Sequence, residues 1–126
     1  MKDDAGLTLT TISISAPDPP ALATFYQRLL GYSVVAEEPD WVMLRPAGEG
    51  VRLSFQTEPD YLPPVWPGGP GDPKMMMHLE IQVDDLETAG KHARDCGAIL
   101  ADFQPQEDVR VYLDPAGHPF CLWVAT

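Results

Sequence analysis

Basic residues are scarce in this chain: eight Lys and Arg stand against nineteen Asp and Glu, for a formal charge of −11 at pH 7. So few cations make no positive stripe for a phosphate backbone or an anionic bilayer, so neither nucleic acid nor membrane is expected as a partner, whereas small cationic molecules are attracted. Long apolar runs are missing as well. No window approaches the roughly 18 consecutive apolar residues of a membrane span. Met1-Lys2-Asp3-Asp4 carries no basic stretch followed by an apolar one, so no secretion signal is read and the expected address is cytoplasmic. Cysteine is limited to Cys96 and Cys121, too few for a disulfide scaffold, and both are expected as free thiols. No Gly-rich loop leads from a strand into a helix and no serine sits in a nucleophile elbow, so phosphoryl transfer and serine-hydrolase chemistry lack support.

What is present fits one domain of 126 residues with 44% hydrophobic residues, enough for a single core. Leu7 to Ser15 alternates as a half-buried strand, with a slip of phase near Thr11. Asp18 then caps a helix that begins at Pro19, carries Leu22, Phe25, Tyr26, Leu29 and Leu30 at helical spacing, and stops at Gly31. Three short strands follow, over Tyr32 to Ala36, Trp41 to Arg45 and Val51 to Thr57, as an antiparallel meander. Glu58 to Lys74 holds six prolines, which rules out helix or central strand, so residues 58–74 read as a linker.

After the linker the order recurs. His78-Leu79-Glu80-Ile81-Gln82-Val83 alternates as a strand, Asp85 caps a second helix and Gly97 ends it. Thr11 falls on His78 and Asp18 on Asp85 at one common offset, while Leu44-Arg45-Pro46-Ala47-Gly48 matches Leu113-Asp114-Pro115-Ala116-Gly117 at an offset larger by a small indel. The chain is therefore a duplicated βαβββ unit, repeat one over about 7–57 and repeat two over about 75–126, of α+β class.

Phe25-Tyr26 with Leu30-Gly31, His78 through Leu86, Gly97-Ala98, and Asp114-Pro115-Ala116-Gly117-His118-Pro119-Phe120-Cys121-Leu122 together resemble the vicinal oxygen chelate superfamily of glyoxalases, bleomycin-resistance proteins and extradiol dioxygenases, in its glyoxalase-like branch. The resemblance covers almost the whole chain. It implies that the two βαβββ repeats form curved half-barrels around a cavity in which metal and substrate sit, and that units pair, so a homodimer is expected.

If the apolar side of each strand packs beneath a helix, the opposite side faces that cavity. The alternation selects Thr11, Ser13, Ser15, Arg52, Ser54, Gln56, His78, Glu80, Gln82, Cys121 and Trp123. Metal-dependent members of the superfamily take one His or Glu ligand from each of four strands, and at the matching positions stand Thr11, Ser54 or Gln56, His78 and Cys121. Only His78 keeps the expected type, and a catalytic divalent ion normally has three or more good donors. Glu80 as a further donor lies two residues from His78, about 7 Å along the strand, which sets the pair apart for a shared ion. The metal set of His78 and Cys121 is thus incomplete, and no cofactor is the expectation, with zinc, nickel, manganese or iron as the alternative.

Arg52 is read either as the partner of a ligand carboxylate or phosphate, or as an ion pair with Glu80 or Glu58. A buried Glu80, with His78, is the acid and base of an enzymatic alternative. Trp66 and Tyr61, in the proline-rich segment, either pin that segment or cover the cavity mouth, and Trp41 and Trp123 are core or stacking surfaces. His118 is a turn residue at a place where the family usually shows asparagine. Three readings follow: a bleomycin-resistance-like protein binding a small molecule; a lyase, isomerase or dioxygenase using a metal or the Glu80 and His78 pair; and a dimerisation module with a vestigial cavity.

Overall fold

The computed structural model describes residues 5–125, and the reading of Met1-Lys2-Asp3-Asp4 lies outside them, as does the last residue of repeat two. The chain divides into two compact units, Met1–Pro59 and Asp60–Thr126. Each has the order βαβββ, so the mixed α+β class read from the repeat holds.

In the first unit β1 (Thr11–Ala16) leads into α1 (Pro19–Leu30), followed by β2 (Ser33–Glu38), β3 (Trp41–Arg45) and β4 (Arg52–Thr57). The helix starts where Asp18 accepts the Ala21 N–H at 3.3 Å, with proline as its first residue, and ends at Gly31, whose φ of 73° is a left-handed conformation that glycine adopts without strain. The sheet order is β1-β4-β3-β2, with β1 parallel to β4 and the other pairs antiparallel. Leu22, Phe25 and Tyr26 of α1 are buried with Leu44, Leu53 and Phe55 of the sheet. The Tyr26 ring stacks on Phe55 at 5.6 Å. Each such buried side chain contributes about 1.5–3 kcal/mol of transfer free energy.

The expected first strand is shorter at its start, because the ladder begins with Thr11 opposite Arg52. Leu7 and Leu9 lie before that pairing and are 71% and 73% exposed. The slip of phase near Thr11 was the boundary between them and the paired strand.

The second unit repeats the plan with β5 (Leu79–Gln82), α2 (Leu86–Cys96), β6 (Ile99–Leu100), β7 (Val109–Leu113) and β8 (Pro119–Trp123). Its sheet order is β5-β8-β7-β6, β5 being parallel to β8. Asp85 caps α2 by accepting the Thr88 N–H at 2.8 Å, which together with the Thr88 side chain holds the Asp85 carboxyl below its ordinary range. Phe120 and Leu122 are buried, and the Tyr112 and Phe120 rings stack at 6.0 Å.

Most of the proline-rich segment read as a linker belongs to this second unit. Val65 donates its N–H to Pro73 O at 2.7 Å, and the Lys74 ammonium donates to Gly69 O at 2.5 Å. Among the described residues no helix is long and apolar enough to cross a membrane, and both cysteines are free.

Candidate functional site

Strand register decides which side chains share a face. In the first unit Thr11 stands opposite Arg52, Ser13 opposite Ser54 and Ser15 opposite Gln56, and β3 extends the row with Met43 opposite Ser54 and Trp41 opposite Gln56. Phe55, one residue off that row, packs on Tyr26 of the helix. Thr11, Ser13, Arg52, Ser54 and Gln56 therefore lie together on the face turned away from α1, as alternation predicts. The Ser13 and Ser54 hydroxyls hydrogen-bond at 2.7 Å, and Arg52 Nη1 rests 3.8 Å from Met43 Sδ.

In the second unit Glu80 stands opposite Cys121 and Gln82 opposite Trp123, with His78 one step before the strand on the same alternation. His78, Glu80 and Cys121 each present a ligand-type atom, and the three atoms lie within 4.8 Å of one another. His78 Nε2 is 2.5 Å from Glu80 Oε2. The expected separation of these two residues is corrected here: their backbones are two positions apart, but the side chains lean toward each other along one face. A carboxylate oxygen accepts, so Nε2–H is the donor to Glu80, while Met75 Sδ lies 3.3 Å from His78 Nδ1.

Glu80 is open to solvent, its side chain 51% exposed against 21% for His78. The burial on which its reading as a general base rested is absent. Cys121, by contrast, is buried. Burial, then the Glu80 charge, then the hydrogen bond to that carboxylate push the Cys121 thiol up to about 12. Glu80 is thus held between an imidazole and a neutral thiol.

Trp66 packs its ring 4.8 Å from the His78 imidazole, and Phe103 lies 5.2 Å from Trp66, edge-on at 63°. Tyr61 does the pinning in this segment: its hydroxyl donates to Ala116 O at 2.7 Å, and its ring lies 5.4 Å from His118. Burial and the charge of Asp114 push the Tyr61 hydroxyl up to about 12. His118 is the turn residue it was read as, since buried Asp114 accepts the Ala116 N–H at 2.9 Å, the His118 N–H at 3.0 Å and His118 Nδ1–H at 2.9 Å.

The donor chemistry of the cluster suits a borderline-soft ion. Nitrogen, thiolate sulfur and carboxylate oxygen are all zinc ligands at about 2.0–2.3 Å, and small rotations would bring donors within 4.8 Å onto one ion. Binding would displace the thiol proton.

A family model described as glyoxalase-like domain matches residues 11–123. The chain belongs to that family. No curated protein has a significantly similar sequence. Among solved structures, a glyoxalase/bleomycin resistance protein/dioxygenase family enzyme from Burkholderia phytofirmans PsJN is 17% identical over 95% of this chain and 100% of its own, with a TM-score of 0.73. TnmS3, an antibiotic binding protein from Streptomyces sp. CB03234, is 18% identical over 98% of this chain and 100% of its own, with a TM-score of 0.64. A glyoxalase-related enzyme from Fulvimarina pelagi is 18% identical over 94% of this chain and 88% of its own, at 0.66. At these identities the likeness is one of fold.

For this glyoxalase-like chain the structure gathers His78, Glu80, Cys121 and Trp66 and puts Trp123 two residues beyond Cys121 on the same strand. Sequence reasoning missed Met75 and Phe103 as members of the cluster. Met75 belongs to a run of three identical residues, Met75-Met76-Met77, and Phe103 to an irregular stretch, and neither has a period that would place it.

Proposed function

We propose that this glyoxalase-like protein binds a small organic cation with a flat or aromatic portion on the Trp66, His78 and Glu80 face of its second unit. The packing of Trp66 against His78, beside the exposed Glu80 carboxylate, carries the reading. A carboxylate open to solvent attracts a cation, and an indole face adds about 0.5–2 kcal/mol to its binding. The acidic charge of the chain adds long-range attraction, and the antibiotic-binding neighbour supports a fold used for small-molecule recognition. Benzyltrimethylammonium serves as the probe, with neutral neopentylbenzene as its isostere. Titration followed by tryptophan fluorescence should show binding of the cation only, weakened roughly tenfold by Glu80→Gln and several-fold by Trp66→Ala. Equal binding of both compounds, or of both variants and the parent, would sink the proposal.

The mutual approach of three donor atoms favours a second reading, a divalent ion at His78, Glu80 and Cys121 that supplies Lewis-acid chemistry when bound. Cobalt(II) added to the purified protein should give a thiolate charge-transfer band that disappears in Cys121→Ser; a spectrum without that band rejects the site. Homodimerisation in the cytoplasm completes the proposal. It is supported by Val34 and Val35, exposed on the edge strand β2, and light scattering at rising concentration decides the dimer.

A further inference from the structure

We infer that the second unit carries a separate site for a small organic oxyanion, a phosphate monoester or carboxylate with an apolar body, in the pocket between α2 and strands β6 and β7. The pocket is about 580 Å³, and its wall includes Lys91, Arg94, Arg110, Tyr112, Leu86 and Leu100. Three of the eight basic residues of a chain with charge −11 therefore converge on one concavity. Strand alternation separates this pocket from the Glu80 face. Arg110 and Tyr112 stand opposite Leu122 and Phe120, whereas Val111 between them stands opposite Cys121.

The two guanidiniums are held by neutral oxygens. Arg94 Nη1 donates to the Tyr112 hydroxyl at 3.1 Å, and Arg110 Nη1 donates to Glu107 O at 2.7 Å and Val109 O at 2.9 Å. Among the described residues no carboxylate forms an ion pair with either one. Lys91 pairs with Asp95 at 3.0 Å along the helix, and Glu87 is the carboxylate on the pocket wall. Among the described residues the hydrogen bonds of both arginines use Nη1, which leaves Nε and Nη2 as a donor pair, and such guanidinium pairs match the two oxygens of a carboxylate or phosphate.

Gly90 helps to build this arrangement. A Cβ there would run into the Tyr112 hydroxyl, so glycine lets the helix settle close enough for that hydroxyl to reach Arg94. Leu86 and the half-exposed Leu100 offer an apolar wall beside the charges, which selects an organic body over a bare ion.

Phenyl phosphate is the probe, with inorganic phosphate as comparator at matched ionic strength. Amide chemical shifts should move on α2, β6 and β7 with a Kd of about 1 mM, and inorganic phosphate should bind more weakly. Arg94→Gln and Arg110→Gln should each weaken binding roughly tenfold, with circular dichroism confirming that both variants fold. Trp66→Ala should leave it unchanged, which keeps this test independent of the cation site. Shifts scattered over the surface, wild-type affinity in both arginine variants, or loss of binding in Trp66→Ala would each overturn the inference.

Discussion

Raising the pH should expose the Cys121 thiol as a source of alkaline instability. In the folded chain this thiol sits near 12, against an ordinary value of 9.0, because it is buried beside the Glu80 carboxylate. Below pH 9 the thiol is protonated in both folded and unfolded chains, and its environment costs nothing. Above that value the unfolded chain releases the proton while the folded chain retains it, so stability falls as pH rises and levels off only near the folded value. A shift of one unit corresponds to about 1.4 kcal/mol. Glu80 is half exposed, and water screens part of its effect, so a loss of about 1–2 kcal/mol between pH 9 and about pH 11 is expected from this group.

Urea unfolding at both pH values measures it directly. Cys121→Ser removes the titration and keeps a hydroxyl able to donate to Glu80, so the parent should lose more stability than the variant over the same step. Other alkaline titrations are common to both proteins and cancel. Alkylation offers a second readout: at neutral pH iodoacetamide should label Cys96, which is partly exposed, well before Cys121. Parallel pH profiles for parent and variant, together with equal labelling of the two cysteines, would refute the reasoning.

Gly90→Ala should destabilise the second unit by about 1–3 kcal/mol in denaturant unfolding, although alanine is the better helix former, because the new methyl meets the Tyr112 hydroxyl. Adding Tyr112→Phe should recover part of the loss. Asp114→Ala should cost about 1–3 kcal/mol in the same assay, since it strips the partners from the Ala116 and His118 N–H groups in a part-buried turn; a variant as stable as the parent would mean that water replaces the carboxylate.

The two halves of the fold were readable from local patterns. Asp18 and Asp85 occupy equivalent helix starts, Gly31 and Gly97 equivalent stops, and Trp41–Arg45 and Pro19–Leu30 were located to the residue. These are short-range features, in which a cap, a turn or an alternation acts on its immediate neighbours. The strand face bearing Thr11, Ser13, Arg52, Ser54 and Gln56 followed as well, because a period of two needs only the correct phase. The start of β1 differs because alternation continues through the exposed Leu7 and Leu9, whereas the β1–β4 register begins with Thr11 opposite Arg52.

By itself, then, the sequence determined the duplicated βαβββ plan and the polar faces of its sheets, since these are encoded in residue spacing, while its motifs carried the resemblance to the glyoxalase-like family that the family model bears out. Tertiary structure alone decided that Trp66 folds back from a proline-rich stretch onto His78, that His78 and Glu80 lean together beside Cys121, and that Arg94 and Arg110 line one pocket. Those meetings depend on rotamers and on contacts between residues far apart in the chain, which no periodicity specifies.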